Sequence, residues 1–232
     1  MAKFCTNCGK KLKDGEVCDC TKTNEVETFD VNGILKKSLE VLKGIFTKPV
    51  DTLKKYVKGN DFLLSVIFVV IAGISTGLLT LALVKVIMSS VATALGYGLS
   101  YGLGSISNEI PYFRVFLVTA IISVGIYFLE ALVLWLITGK CLKEKVDYKK
   151  AFNLLAPISI YTTVAMLLSI LGAYISLYIV IALIGASGIM NLVSIALGVK
   201  EVFKVDANKV AYVLVGSKLI TLLILVIIAA IF

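Results

Sequence analysis

Hydrophobic positions in this chain change character twice. Ile34, Leu35, Leu39, Leu42, Ile45 and Phe46 recur every three or four residues, with Lys36, Lys37, Glu40 and Lys43 between them. That period gathers the apolar side chains onto one stripe of a helix. Thr47-Lys48-Pro49 ends it, because the residue before a proline avoids helical angles, and Pro49 suits the first turn of a second helix carrying Val50, Leu53 and Tyr56. From Phe62 onward the periodicity gives way to runs that are apolar on all sides, over 62–84, 115–138, 151–172, 174–199 and 211–232. Each exceeds the roughly twenty residues that cross a hydrocarbon core of about 30 Å. Residues 86–108 are also uncharged, but Gly96, Gly98, Gly102, Gly104 and their hydroxyl neighbours suit a re-entrant or interfacial segment better than a span.

The predicted organisation is a polar head over 1–22, a linker over 23–33, cytoplasmic amphipathic helices over 34–61 and a transmembrane domain over 62–232. Composition agrees: of 232 residues, 59% are hydrophobic and 16% charged, against about 45–50% and 25% in soluble domains. A soluble globular enzyme is excluded. With five spans and the N-terminus inside, the inner segments from Lys36 onward hold fifteen lysines, and the outer ones only Lys85 and Arg114. This asymmetry predicts a multi-pass plasma-membrane protein with a cytoplasmic N-terminus and the C-terminus outside. A sixth span through 86–108 would force the basic Lys140–Lys150 loop to the outside, which argues against it.

The net charge is +8, and Arg114 is the single arginine. Lysine beside membrane spans reads as contact with anionic lipids; no nucleic-acid partner is expected. Lys36, Lys37, Lys43, Lys48, Lys54, Lys55 and Lys58 form the predicted membrane-surface set, on helices laid along the inner leaflet.

There is no histidine, so a metal must be held by cysteine or carboxylate. Cys5, Cys8, Cys18 and Cys20 follow the spacing C-x2-C-x9-C-x-C. With no apolar secretory segment ahead of them, these cysteines are expected in the reducing cytoplasm, where paired thiols favour metal over disulfide. Four thiolates close a tetrahedral site with no open position, so the expected cofactor is one structural zinc ion. The head resembles the short zinc ribbons found at the N-termini of many bacterial membrane proteins, although its second knuckle, Cys18-Asp19-Cys20, has one intervening residue where two are usual. Cys141, alone at the end of a span, reads as inert.

Within the spans, Glu130, Lys218 and Asn191 lie at similar depth from the inner side, about 12 Å at 1.5 Å per residue. They are predicted to form a buried polar cluster, with Glu130 and Lys218 as an ion pair. Lys218 snorkelling to the interface, or a proton or substrate path, are the alternatives. Pro157 predicts a kink that frees the carbonyl of Asn153. Gly73, Gly77, Gly125, Gly185 and Gly188 predict close helix packing. No catalytic triad, phosphate-binding glycine loop or intramembrane aspartate pair is present in the sequence.

From Phe46-Thr47-Lys48-Pro49-Val50-Asp51-Thr52-Leu53 to its end, the chain resembles the Yip (Ypt-interacting protein) domain family, in the bacterial form fused to an N-terminal ribbon. The resemblance implies an all-α integral membrane protein: a five-helix transmembrane bundle with a small N-terminal zinc ribbon of four cysteines. In eukaryotes the family is associated with small-GTPase-linked trafficking and membrane shaping. The expected function is that of a non-enzymatic scaffold or adaptor that docks a protein partner through the ribbon and the basic helix, with an oligomer possible. Alternatives are a small transporter or lipid/ion-handling permease using Glu130 and Lys218, and a metal- or redox-responsive sensor.

Overall fold

The computed structural model describes residues 3–4, 11–12, 31–59, 61–95 and 110–231. It divides into two compact units, 1–37 and 38–232. In the first, β1 (Lys3–Phe4) pairs antiparallel with β2 (Lys11–Leu12), Lys3 opposite Leu12 and Phe4 opposite Lys11. This ladder brackets the six residues that include Cys5 and Cys8. The four cysteines, and with them the zinc reading, lie outside the described residues, as does most of the linker. Helix α1 (Val31–Thr47) begins in the first unit and ends in the second.

In the second unit, α2 (Pro49–Gly59) leads into five long helices: α3 (Phe62–Leu95), α4 (Tyr112–Trp135), α5 (Tyr148–Ala173), α6 (Leu177–Glu201) and α7 (Ala207–Ile231). All five are long and apolar enough to cross a membrane. Their outer faces carry Ile121, Leu171, Ile181 and Ile189, each about two-thirds exposed. A belt of this kind is untenable in water and is the face a bilayer covers. The protein is a multi-pass membrane protein.

The helices outrun the apolar stretches that predict them. Helix α3 continues through Lys85 to Leu95, so residues 86–95 are helical and do not form a re-entrant segment of their own; 96–109 lie outside the described residues. A single lysine interrupts an apolar run without breaking a helix, since lysine is a good helix former, and Lys85 finds a partner in the Tyr112 ring, 5.6 Å from its centroid. Helix α4 ends in a π-helical turn, Leu136–Cys141, that no sequence signal announces. Asp147 caps α5 by accepting from the Lys150 amide at 2.7 Å, and Ser176 caps α6 by accepting from that of Tyr178 at 3.2 Å.

Helix α5 is the centre of the bundle. Every residue from Ala151 to Tyr161 is buried, and Pro157 sits inside the helix without ending it. Close approach relies on fewer glycines than expected. A Cβ on Gly73 would lie 2.9 Å from the Ala120 carbonyl oxygen of α4, and one on Gly77 2.8 Å from the Phe116 ring. Gly125, Gly185 and Gly188 meet nothing within 4 Å, which corrects their expected packing role: they lie on faces turned away from the neighbouring helices. Gly198 of α6 takes that role instead, against Leu154 of α5.

Helix α2 departs from the leaflet-surface expectation. Leu53, Tyr56 and Val57 of α2 are buried, and the helix packs on α5 and α6, so protein and not lipid covers its apolar stripe. Helix α1 keeps Leu39, Leu42 and Phe46 exposed. One local cause fixes the elbow between them. Pro49 has no N–H to give the carbonyl four residues back, that of Ile45. The Tyr161 hydroxyl replaces it, donating to Ile45 O at 2.5 Å, while the Phe46 ring meets Tyr161 edge to face at 5.1 Å. Tyr161→Phe leaves a buried carbonyl without a donor, at a cost of about 1–3 kcal/mol. Amide exchange at residues 45–57 is expected to accelerate while exchange in α7 stays unchanged; equal protection in both proteins would show that the hydroxyl does not hold the elbow.

Candidate functional site

All five spanning helices contribute to one cavity of about 220 Å³ inside the bundle, lined by Thr76 of α3, Ser123, Tyr127 and Glu130 of α4, Thr162 of α5, Asn191 of α6 and Lys218 of α7 among others. In each of these helices most side chains are apolar, so the polar ones are desolvated unless they find one another. Lys218 Nζ donates to Glu130 Oε1 at 2.5 Å, tying α7 to α4. Asn191 does not join that pair; its Nδ2 donates to Thr162 Oγ1 at 2.9 Å, tying α6 to α5. Ser123 donates to Thr76 at 3.4 Å, tying α4 to α3. Asn191 Oδ1 and, beside the ion pair, Thr221 Oγ1 are buried with no hydrogen-bond partner among the described residues. The three residues singled out by depth thus line one cavity but belong to two separate contacts.

A second polar network, invisible in the sequence, joins α2, α3 and α5. Ser65 Oγ donates to Asn153 Oδ1 at 2.7 Å and lies 2.9 Å from the Tyr56 hydroxyl. Ser65 Oγ also lies 3.1 Å from Asp61 O, one residue before α3 begins. Burial pushes the Tyr56 phenol well above its ordinary range, with Asp61 adding to the shift and the Ser65 contact opposing it, so it stays protonated throughout the physiological range.

The predicted surface lysines sort into two groups. Lys36, Lys37, Lys43, Lys48 and Lys55 are exposed on α1 and α2, with Lys55 paired to Glu40. Lys54 and Lys58 instead line a cleft of about 630 Å³ at the end of the bundle where α3, α5 and α7 begin, whose other walls are the turns between α4 and α5 and between α6 and α7. Lys54 pairs with Glu201 at the end of α6, at 2.8 Å. Lys143, Lys145, Lys150 and Lys204 complete the basic lining. In the sequence these four lysines bear on topology alone, because nothing in a linear chain shows that two turns separated by a full hairpin face one another.

Among the described residues, no group of three or more cysteine or carboxylate side chains could hold a metal ion, and Cys141 is a free, exposed cysteine. The intramembrane cluster is suited to holding helices in register and offers one carboxylate already matched by one ammonium group.

Comparison with curated proteins finds no match, and neither does comparison with solved structures. Comparison with protein families matches residues 43–229 to the Yip1 domain. The match starts within α1, takes in the proline elbow, and runs through all five spanning helices to the last turns of α7. On that span and that architecture, the chain belongs to the Yip1 domain family.

Proposed function

We propose that this protein is a non-enzymatic membrane scaffold or adaptor, with its basic end and N-terminus in the cytoplasm and a four-cysteine zinc ribbon that docks a protein partner. The observation that carries this reading is the locked elbow: α2 is built into the bundle through Leu53, Tyr56 and Val57, and the Tyr161 hydroxyl holds the end of α1. A helix anchored in this way, with Leu39, Leu42 and Phe46 still exposed among lysines, serves as a fixed arm at the membrane surface. Its apolar residues enter the acyl boundary while the lysines meet anionic headgroups. The excess of lysine at this end favours the cytoplasmic side.

The ribbon reading is supported by the β1–β2 ladder, whose two strands flank Cys5 and Cys8 in the sequence. Cys5, Cys8, Cys18 and Cys20 would hold one zinc ion, which supplies the folding energy that so short a segment lacks. The expected zinc content is one per chain in the wild type and none in Cys5→Ser/Cys8→Ser, measured by elemental analysis. Crosslinking and affinity purification from native membranes at matched expression then tests docking. A protein captured by the wild type and lost from the variant supports the adaptor; identical captured sets overturn it.

A further inference from the structure

The two turns at the basic end are built alike. In the first, the Leu142 amide donates five residues back to Ile137 O at 3.0 Å and the Glu144 amide six back to Thr138 O at 3.1 Å, with Lys143 between them at φ 57°. In the second, the Phe203 amide donates five back to Gly198 O and the Val205 amide six back to Val199 O, both at 3.3 Å, with Lys204 between them at φ 64°. Each turn then runs through a buried valine, Val146 or Val205, into an aspartate, Asp147 or Asp206, that accepts an amide of the next helix.

The residue in the left-handed position of such a helix end is ordinarily glycine, because a side chain there meets its own backbone. Among the described residues, Lys143 and Lys204 are the two non-glycine residues with positive φ, and both line the same cleft. Placing lysine twice where glycine fits better is a local cost with no return in packing. Its effect is to bring two ammonium groups from separate hairpins to one opening.

The remaining charges point the same way. Six lysines and two glutamates line the cleft. Lys54 is matched by Glu201 and Lys150 faces Asp147 at 3.8 Å. Lys58, Lys143, Lys145 and Lys204 have no carboxylate within ion-pair distance among the described residues, leaving Glu144 as the only other acid of the lining. Several point-charge donors around an opening of about 630 Å³ suit a compact, multiply charged anion, whereas a planar carboxylate would favour the arginine fork that is absent here. The cleft lies where the spanning helices end, the part of a membrane protein that headgroups and the adjoining water reach.

We propose that this cleft is a binding site for a phosphomonoester dianion, held by Lys58, Lys143, Lys145 and Lys204. The chemistry is shared by the headgroup of an anionic phosphomonoester lipid and by free phosphate. All of its lining residues belong to the second unit, so Cys5→Ser/Cys8→Ser removes none of them and its failure is distinguishable from that of the adaptor reading.

The test uses the full chain in a nonionic detergent, titrated with dioctanoyl phosphatidic acid, dioctanoyl phosphatidylcholine and inorganic phosphate, with binding read by calorimetry. Wild type is expected to bind phosphatidic acid and to bind phosphatidylcholine at least tenfold more weakly. Lys143→Gly/Lys204→Gly, which relieves both left-handed side chains, is expected to unfold at no lower temperature and to lose at least tenfold in affinity. Lys58→Gln/Lys145→Gln provides the same loss without touching either left-handed position. Phosphate that displaces the lipid at comparable concentration identifies a soluble ligand; lipid binding that phosphate does not displace identifies a headgroup site. Equal affinity in wild type and both variants, or equal binding of the two lipids, overturns the proposal.

Discussion

Glu130→Leu, with Lys218 left in place, is expected to destabilise the folded bundle by about 3 kcal/mol, a loss of more than a hundredfold in the ratio of folded to unfolded protein. The wild-type contact places Lys218 Nζ 2.5 Å from Glu130 Oε1 in a cavity otherwise lined by hydroxyls, an amide and apolar side chains. Removing the carboxylate strands an ammonium group among helices that offer it no replacement anion. Lys218→Met strands the carboxylate instead and is expected to cost a similar amount. The double variant Glu130→Leu/Lys218→Met removes both charges together and is expected to lie within about 1 kcal/mol of wild type, because an ion pair held away from water contributes little net stability over apolar packing. Reversible unfolding in mixed micelles gives all four values. If the penalties of the two single variants simply add in the double variant, the groups do not interact and a structural ion pair is ruled out.

Gly73→Leu is expected to prevent α3 and α4 from closing, lowering stability by about 3 kcal/mol, whereas Gly125→Leu is expected to change it by less than about 1 kcal/mol. At Gly73 the first added atom already lies 2.9 Å from a backbone oxygen and 2.6 Å from a Val124 methyl. Backbone cannot rotate aside, so the helices must separate. At Gly125 the same atom meets nothing within 4 Å, and the change improves helix propensity. Thermal unfolding of both variants checks the contrast; equal destabilisation would mean that the α3–α4 contact does not depend on glycine.

Part of the intramembrane site is legible in the sequence. Glu130 and Lys218 stood out because charges are rare and costly in a span, and counting residues from one end placed both at the same depth. Depth is one coordinate of three. Asn191 shares it and lines the same cavity, yet its amide goes to Thr162, since rotation about the helix axis decides which neighbour a side chain meets. The side chains of Ser65 and Asn153 gave no signal: a serine and an asparagine side chain are unremarkable until two helices bring them within 2.7 Å.

What the chain determines by itself is everything set by length, period and local backbone chemistry. Five runs long enough to cross a membrane, the amphipathic stripe ahead of them and the break at Pro49 each depend on residues within a few turns of one another. What only the tertiary structure decided is which surfaces meet. Packing covers α2 with α5 and α6, seats the Tyr161 hydroxyl on the carbonyl that Pro49 leaves without a donor, selects Gly73, Gly77 and Gly198 from a larger set of glycines, and gathers lysines of α2 and two distant turns around one cleft. The reason is geometric: a local pattern shows that a face is apolar, small or charged, but not which helix lies against it.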